Sequence, residues 1–162
     1  MDSKRKSAIH SSMYHQCRER GYATTVDVLM DIGVLQKSSY LDWRNGKIPF
    51  LEKVCEGNLH KLSEIRKEMR SYASAQGLKP SVTVYKRWGL KKKNGQGRKP
   101  VIQLRFSKSG APGIEQQYST HYVDSKRIVE IKASRSAVTV QQRQNSSFTV
   151  QDEFSDHNDA CE

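Results

Sequence analysis

The sequence lacks most of what would name a function outright. No apolar run approaches the ~18 residues that a membrane-spanning helix needs, so no membrane span is expected. Lys4, Arg5 and Lys6 make a basic start of the kind that opens a signal peptide, but residues 11–22 supply no apolar segment to follow it. Cysteine is scarce: Cys17, Cys55 and Cys161 are odd in number, far apart and in no C-x-x-C spacing. That argues against a disulfide scaffold or a zinc knuckle, and for reduced thiols in a cytoplasmic chain. No G-x-x-x-x-G-K-[ST] run is present, no internal repeat is visible, and no His, Cys, Asp or Glu cluster has metal-ligand spacing. Neither cofactor nor metal is expected.

The most informative absence is of negative charge. Between Glu68 and Glu115 there is no acidic residue, while that window holds eleven cations. They are Arg70, Lys79, Lys86, Arg87, Lys91, Lys92, Lys93, Arg98, Lys99, Arg105 and Lys108. The whole chain has a net charge of +11, so everything outside the window is neutral on balance. The last twelve residues invert the pattern, with five acids and no Lys or Arg. Scattered lysines would mean only solubility, whereas segregated ones create a local field.

With 162 residues, 35% of them hydrophobic, the chain can bury one modest core. Apolar spacing places Met13, Tyr14 and Cys17 on one face of a first helix between Lys4 and Tyr22. Thr24 or Thr25 caps a second helix, which Gly33 ends; Ser38 or Ser39 caps a third, carrying Tyr40, Leu41 and Trp43 and stopping at Asn45-Gly46. A long periodic run follows Pro49, through Leu51, Leu59, Leu62, Ile65, Met69 and Tyr72; Gly57-Asn58 divides it, with Asn58 as a cap, and Gly77 closes it. The period then changes from three and four to two. Residues 81–86 and 101–106 alternate as strands, which predicts an antiparallel hairpin whose long connection, Arg87 to Pro100, makes a basic tip from Lys86 to Lys99. Pro112 opens a helix through Ile114, Tyr118, His121 and Tyr122, and a short one covers residues 125–132. From Ala133 onward Ser, Gln, Thr and Asn dominate, which predicts disorder. The expected architecture is α+β: a helical bundle over residues 8–77, the hairpin, one or two short helices and a disordered tail. Residues 1–132 form one domain in this reading, and 133–162 the polar, acidic tail.

A motif lies inside the helical part. Between Thr24 and Pro49, TTVDVLMDIGVLQKSSYLDWRNGKIP resembles the helix-turn-helix of Cro/repressor-type DNA-binding proteins. The matching positions are Thr24, Gly33-Val34, Ser38/Ser39, Trp43, Gly46-Lys47 and Pro49. The resemblance implies that residues 36–45 approach the major groove while Arg44 and Lys47 touch phosphates. An ordinary helical bundle with glycine stops accounts for the same residues.

Lysines and arginines on a hairpin tip neutralise phosphates and release counterions. Trp88 and Tyr85 beside the tip suit unpaired bases. Residues 107–113, rich in Ser and Gly ahead of a helix, are a second, weaker anion site. For catalysis the inventory is thin: Cys17 with His15, Cys55 with His60, and His121 with Tyr118 and Tyr122 form no nucleophile–base–orienter set. The expected function is therefore non-catalytic nucleic-acid binding, whether of DNA or RNA, in a DNA-binding regulator or otherwise. Its residues would be Lys79, Lys86, Arg87, Trp88, Lys91, Lys92, Lys93, Arg98, Lys99, Arg105 and Lys108, with Arg44 and Lys47. The alternative is a protein–protein adaptor or homodimer that pairs through the apolar stripe from Leu59 to Tyr72.

Overall fold

The computed structural model describes the backbone of residues 1–149 and the side chains of residues 1–143. Helix α1 (Ser3–Arg20) starts where the Asp2 side chain accepts the Lys4 N–H, and presents Ile9, Met13 and Cys17 to the interior at a four-residue spacing. It ends on Gly21, whose φ is +88°. That glycine also admits a neighbour: a Cβ there would lie 2.4 Å from Ile128 Cγ1, so the helix Ser125–Thr149 crosses where no side chain stands. Strand β1 (Tyr22–Thr24) leads into α2 (Thr25–Asp31), capped by Thr24, whose Oγ1 accepts the Asp27 N–H at 3.1 Å. Helix α3 is Lys37–Arg44. A 3-10 turn at Leu51–Val54 precedes α4 (Leu59–Ala75), which Asn58 caps through the Lys61 N–H at 2.8 Å.

Strand β2 (Lys79–Val82), helix α5 (Pro112–Ser119), strand β3 (Thr120–Val123) and helix α6 (Ser125–Thr149) complete the described chain. The three strands form one antiparallel sheet in the order β1-β3-β2, with His121 opposite Thr24 on one side and Ser81 on the other. Helices and sheet share a single apolar cluster, in which Ile9 and Met13 from α1, Val26 and Leu29 from α2, Trp43 from α3 and Leu62, Ile65 and Met69 from α4 meet Tyr118 and Tyr122.

The α+β class and most of the helices before residue 78 agree with expectation, including the caps at Thr24 and Asn58. Helix α3, however, begins at Lys37 after Gln36, not at a Ser38 or Ser39 cap, and the run from Pro49 to Gly57 forms only a 3-10 turn where a helix is expected. Four further details differ. The hairpin of residues 81–86 with 101–106 shrinks to one antiparallel bridge, Lys86 with Gln103, flanked by the bonds Arg87 N–H to Ile102 O and Leu104 N–H to Tyr85 O. Only Tyr85, Leu104 and Phe106 of these runs reach the core, while Val82, Val84, Val101 and Ile102 are exposed, so little burial holds two full strands together. Strand β2 pairs instead with β3, and His121 and Tyr122 stand on that strand rather than on the Pro112 helix. The expected short helix after Ser125 continues past Lys132 to Thr149, through residues expected to be disordered. The remaining tail residues, 150–162, lie outside the described residues. Finally, the stripe from Leu59 to Tyr72 is spent internally: Leu62, Ile65 and Met69 are buried in the chain's own core, leaving Leu59 exposed. No helix among the described residues is long and apolar enough to cross a membrane.

Candidate nucleic-acid interface

The C-terminus of α3 is where the basic segment is anchored. A helix leaves its last carbonyls without intrahelical partners, and they carry the negative end of the helix dipole. Here the basic segment fills both needs. The Trp88 N–H donates to Arg44 O at 2.7 Å, and Arg87 Nε donates to Asn45 O at 3.2 Å. Trp43, fully buried one residue earlier, turns inward and donates its Nε1–H to Arg105 O at 2.9 Å. Each end of the segment that carries the tip is thus tied to the last turn of α3.

Side chains add to this anchoring. The Arg44 guanidinium lies over the Trp88 ring, 4.2 Å from its centroid, and 5.2 Å from that of Tyr85. Tyr40, one turn earlier on α3, meets Trp88 edge-on, with centroids 6.0 Å apart and ring planes at 86°. Arg44 is half-buried, and its Nε has no hydrogen-bond partner among the described residues. Trp88 keeps 43% of its surface exposed, whereas Tyr85 keeps 8%. Tyr85 packs on Trp43 and Phe106 and meets His121 Nε2 through its hydroxyl at 2.9 Å, so it serves the core and not a ligand. Burial, with the Asp27 charge behind it, pushes the Tyr85 phenol up.

Beyond Trp88 the chain leaves the core. Lys91, Lys92, Lys93, Arg98 and Lys99 are all exposed, on a loop whose only regular piece is a single 3-10 turn at Lys93–Gly95. All eleven cations of the acid-free window are exposed, and none is in an ion pair with a carboxylate among the described residues. The structure therefore brings Arg87 and Trp88 to Arg44 and Asn45, with Lys86 and the loop cations adjoining them in the sequence. It does not bring every expected residue to that group. Lys79 lines a groove with Arg18, Lys126 and Arg127, and no residue of the loop lines it. Arg105 turns back on its own loop, donating to Ser107 O at 2.8 Å and to Lys108 O. Lys47 reaches Asp42 at 3.4 Å.

The second anion site is taken by the chain itself. Glu115 accepts the Phe106 N–H at 2.9 Å, the Ser107 N–H at 2.7 Å and the Ser107 hydroxyl at 2.5 Å. Glu52 accepts the Lys108 N–H at 3.0 Å and the Tyr118 hydroxyl at 2.9 Å. The donors that residues 107–113 would offer a phosphate are thus used by two internal carboxylates. Burial pushes the Cys17 thiol up to about 11 and the Cys55 thiol up to about 12, so both stay protonated near neutrality. Among the described residues no three His, Cys, Asp or Glu side chains are placed to hold a metal ion.

Tyr40 and Asn45 are the members of the site that sequence reasoning passes over, as a helix apolar residue and a helix stop. Nothing in their spacing points to Arg87 and Trp88, more than forty residues away. No protein-family model matches the chain, no curated protein matches it, and no solved structure matches it.

Proposed function

We propose that this protein binds nucleic acid without catalysis, through the basic loop from Lys86 to Lys99 and the end of α3 on which it is seated. One observation carries the reading: seven exposed cations between Lys86 and Lys99, inside a longer window with no acidic residue, none of them in an ion pair with a carboxylate among the described residues. Such a surface holds a high local positive potential, and a polyanion with closely spaced phosphates gains most from it by releasing condensed counterions. The adaptor alternative loses its main support, because the stripe it would use packs against α1 and the core.

The test is a salt series. The full chain is titrated with labelled DNA and RNA, beside a variant in which Lys91, Lys92 and Lys93 are each replaced by Glu. The expected result is affinity that falls steeply with salt, and a log–log slope shallower by about 2–3 in the variant. Absent or salt-insensitive binding would overturn the reading. Preference for one duplex sequence would support its finer form, in which residues 36–47 read bases as the helix-turn-helix resemblance implies.

A further inference from the structure

The geometry points to a specific role for Trp88: we propose that it is a pre-built stacking platform for an unpaired base, so that the partner is single-stranded nucleic acid. This rests on the nucleic-acid reading above and adds the strandedness of the ligand and the residue that senses it.

Three features set Trp88 apart from the other aromatic residues near the basic loop. First, it is fixed before any ligand arrives. Its backbone N–H is held by Arg44 O, the Arg44 guanidinium lies over its ring, and the Tyr40 ring meets it at 86°. A ring held by two contacts on an anchored backbone loses little freedom on binding, so more of the stacking energy appears as affinity. Second, it is nonetheless 43% exposed, while Trp43 is fully buried and Tyr85 and Phe106 belong to the core. A large flat indole left open beside a cationic loop is costly in water and useful only when something covers it. Third, among the described residues the cation stacked on it has no ion-pair carboxylate, and its Nε has no hydrogen-bond partner. A guanidinium behind an indole strengthens its attraction for an electron-rich base on the open side and for the phosphate attached to that base.

The neighbours complete the match. Arg87 and Lys86 precede the indole in the chain and Lys91, Lys92 and Lys93 follow it, so cations flank the platform along the backbone. A single strand threads such a surface with its phosphates on the cations and one base on the ring. Duplex bases already stack on both neighbours and expose only their edges, so they have no face to offer an indole.

The test uses the fact that the chain has two tryptophans, of which only Trp88 is exposed. The full chain is titrated at fixed salt with a short oligouridylate, a short oligothymidylate and a mixed-sequence DNA duplex. Intrinsic fluorescence and the anisotropy of labelled probes are read together. The expected result is quenching by the single strands, with Trp88→Ala weakening both by about 5- to 100-fold and leaving the salt slope and duplex affinity unchanged. Trp88→Phe, which keeps a ring, should restore most of the loss. Tighter binding of the uridylate would assign RNA as the source, and of the thymidylate DNA. Single-strand affinity that is unchanged in Trp88→Ala, with no quenching of the wild-type chain, overturns the platform. If the Lys→Glu variant still loses affinity in that case, the basic-loop reading survives alone. No binding of any probe overturns both.

Discussion

The side chain of Arg87 lies across the α-carbon of Gly46, in space that any other residue would fill. A Cβ at Gly46 would stand 2.4 Å from Arg87 Nε and 2.7 Å from its Cζ, and the Gly46 φ is +76°. Gly46 ends α3 in the left-handed conformation and, by lacking a side chain, lets the basic segment sit on the helix terminus. Gly46→Ala is therefore expected to destabilise the fold by about 1–2 kcal/mol. Because Arg87 can swing away, part of that cost should vanish when Arg87 is already Ala. Urea denaturation of the wild type, both single variants and the double variant measures the coupling. Strict additivity would mean that the two residues do not pack as described.

Trp43 ties the same corner together from within. It is fully buried, stacks obliquely on Phe106 with centroids 5.1 Å apart, and donates to Arg105 O at 2.9 Å. Trp43→Ala should cost about 3–5 kcal/mol through the cavity and the lost contacts. Trp43→Phe keeps most of the apolar volume but leaves Arg105 O without its donor, and should cost about 1–3 kcal/mol. Denaturant midpoints at constant slope check both figures. A Phe variant as stable as the wild type would show that the indole N–H bond contributes nothing.

The helical half was readable because its signals are local. Thr24 and Asn58 cap helices through bonds three residues away, and Leu62, Ile65 and Met69 repeat at helical spacing. The sheet was not readable for the opposite reason. Strands of three or four residues are too short to display an alternation, and alternation reveals a face, never a partner. Alternation alone pairs Ser81 with the run nearest in sequence, while its actual neighbour is His121. The site divides the same way. The excess of charge is visible by counting, but the meeting of Arg44 with Trp88 depends on how the chain returns to the end of α3.

Glu115 acts as the anion that residues 106–107 would otherwise seek. Replacing it with Ala leaves two backbone N–H groups and the Ser107 hydroxyl without their acceptor in a half-buried setting. The expected loss is about 2–4 kcal/mol. Because the vacated donors resemble an anion site, phosphate or sulfate should raise the thermal midpoint of Glu115→Ala more than that of the wild type. An equal salt response in both proteins would show that the loop collapses instead of presenting those donors.

His121 gives the fold a pH dependence that can be isolated. Its ring is stacked on Tyr22 with centroids 5.5 Å apart, and its nitrogens meet the Tyr85 hydroxyl at 2.9 Å and Thr83 Oγ1 at 3.4 Å. Burial, with the Arg20 charge adding to it and Asp27 opposing, holds its pKa below the ordinary value of 6.5. The native state thus keeps the imidazole neutral where the unfolded chain would protonate it. Above the unfolded value both states are neutral and the group has no effect on stability. As pH falls through 6.5 toward the lower native value, the unfolded state takes up the proton first and the fold loses stability. Below the native value the loss levels off. The chain holds four other histidines, so the informative quantity is the difference between wild type and His121→Asn. That variant should be less stable than the wild type at neutral pH, with the gap narrowing as the solution is acidified. Parallel stability curves for the two proteins from about pH 8 to about pH 5 would show that His121 is not held neutral by the fold.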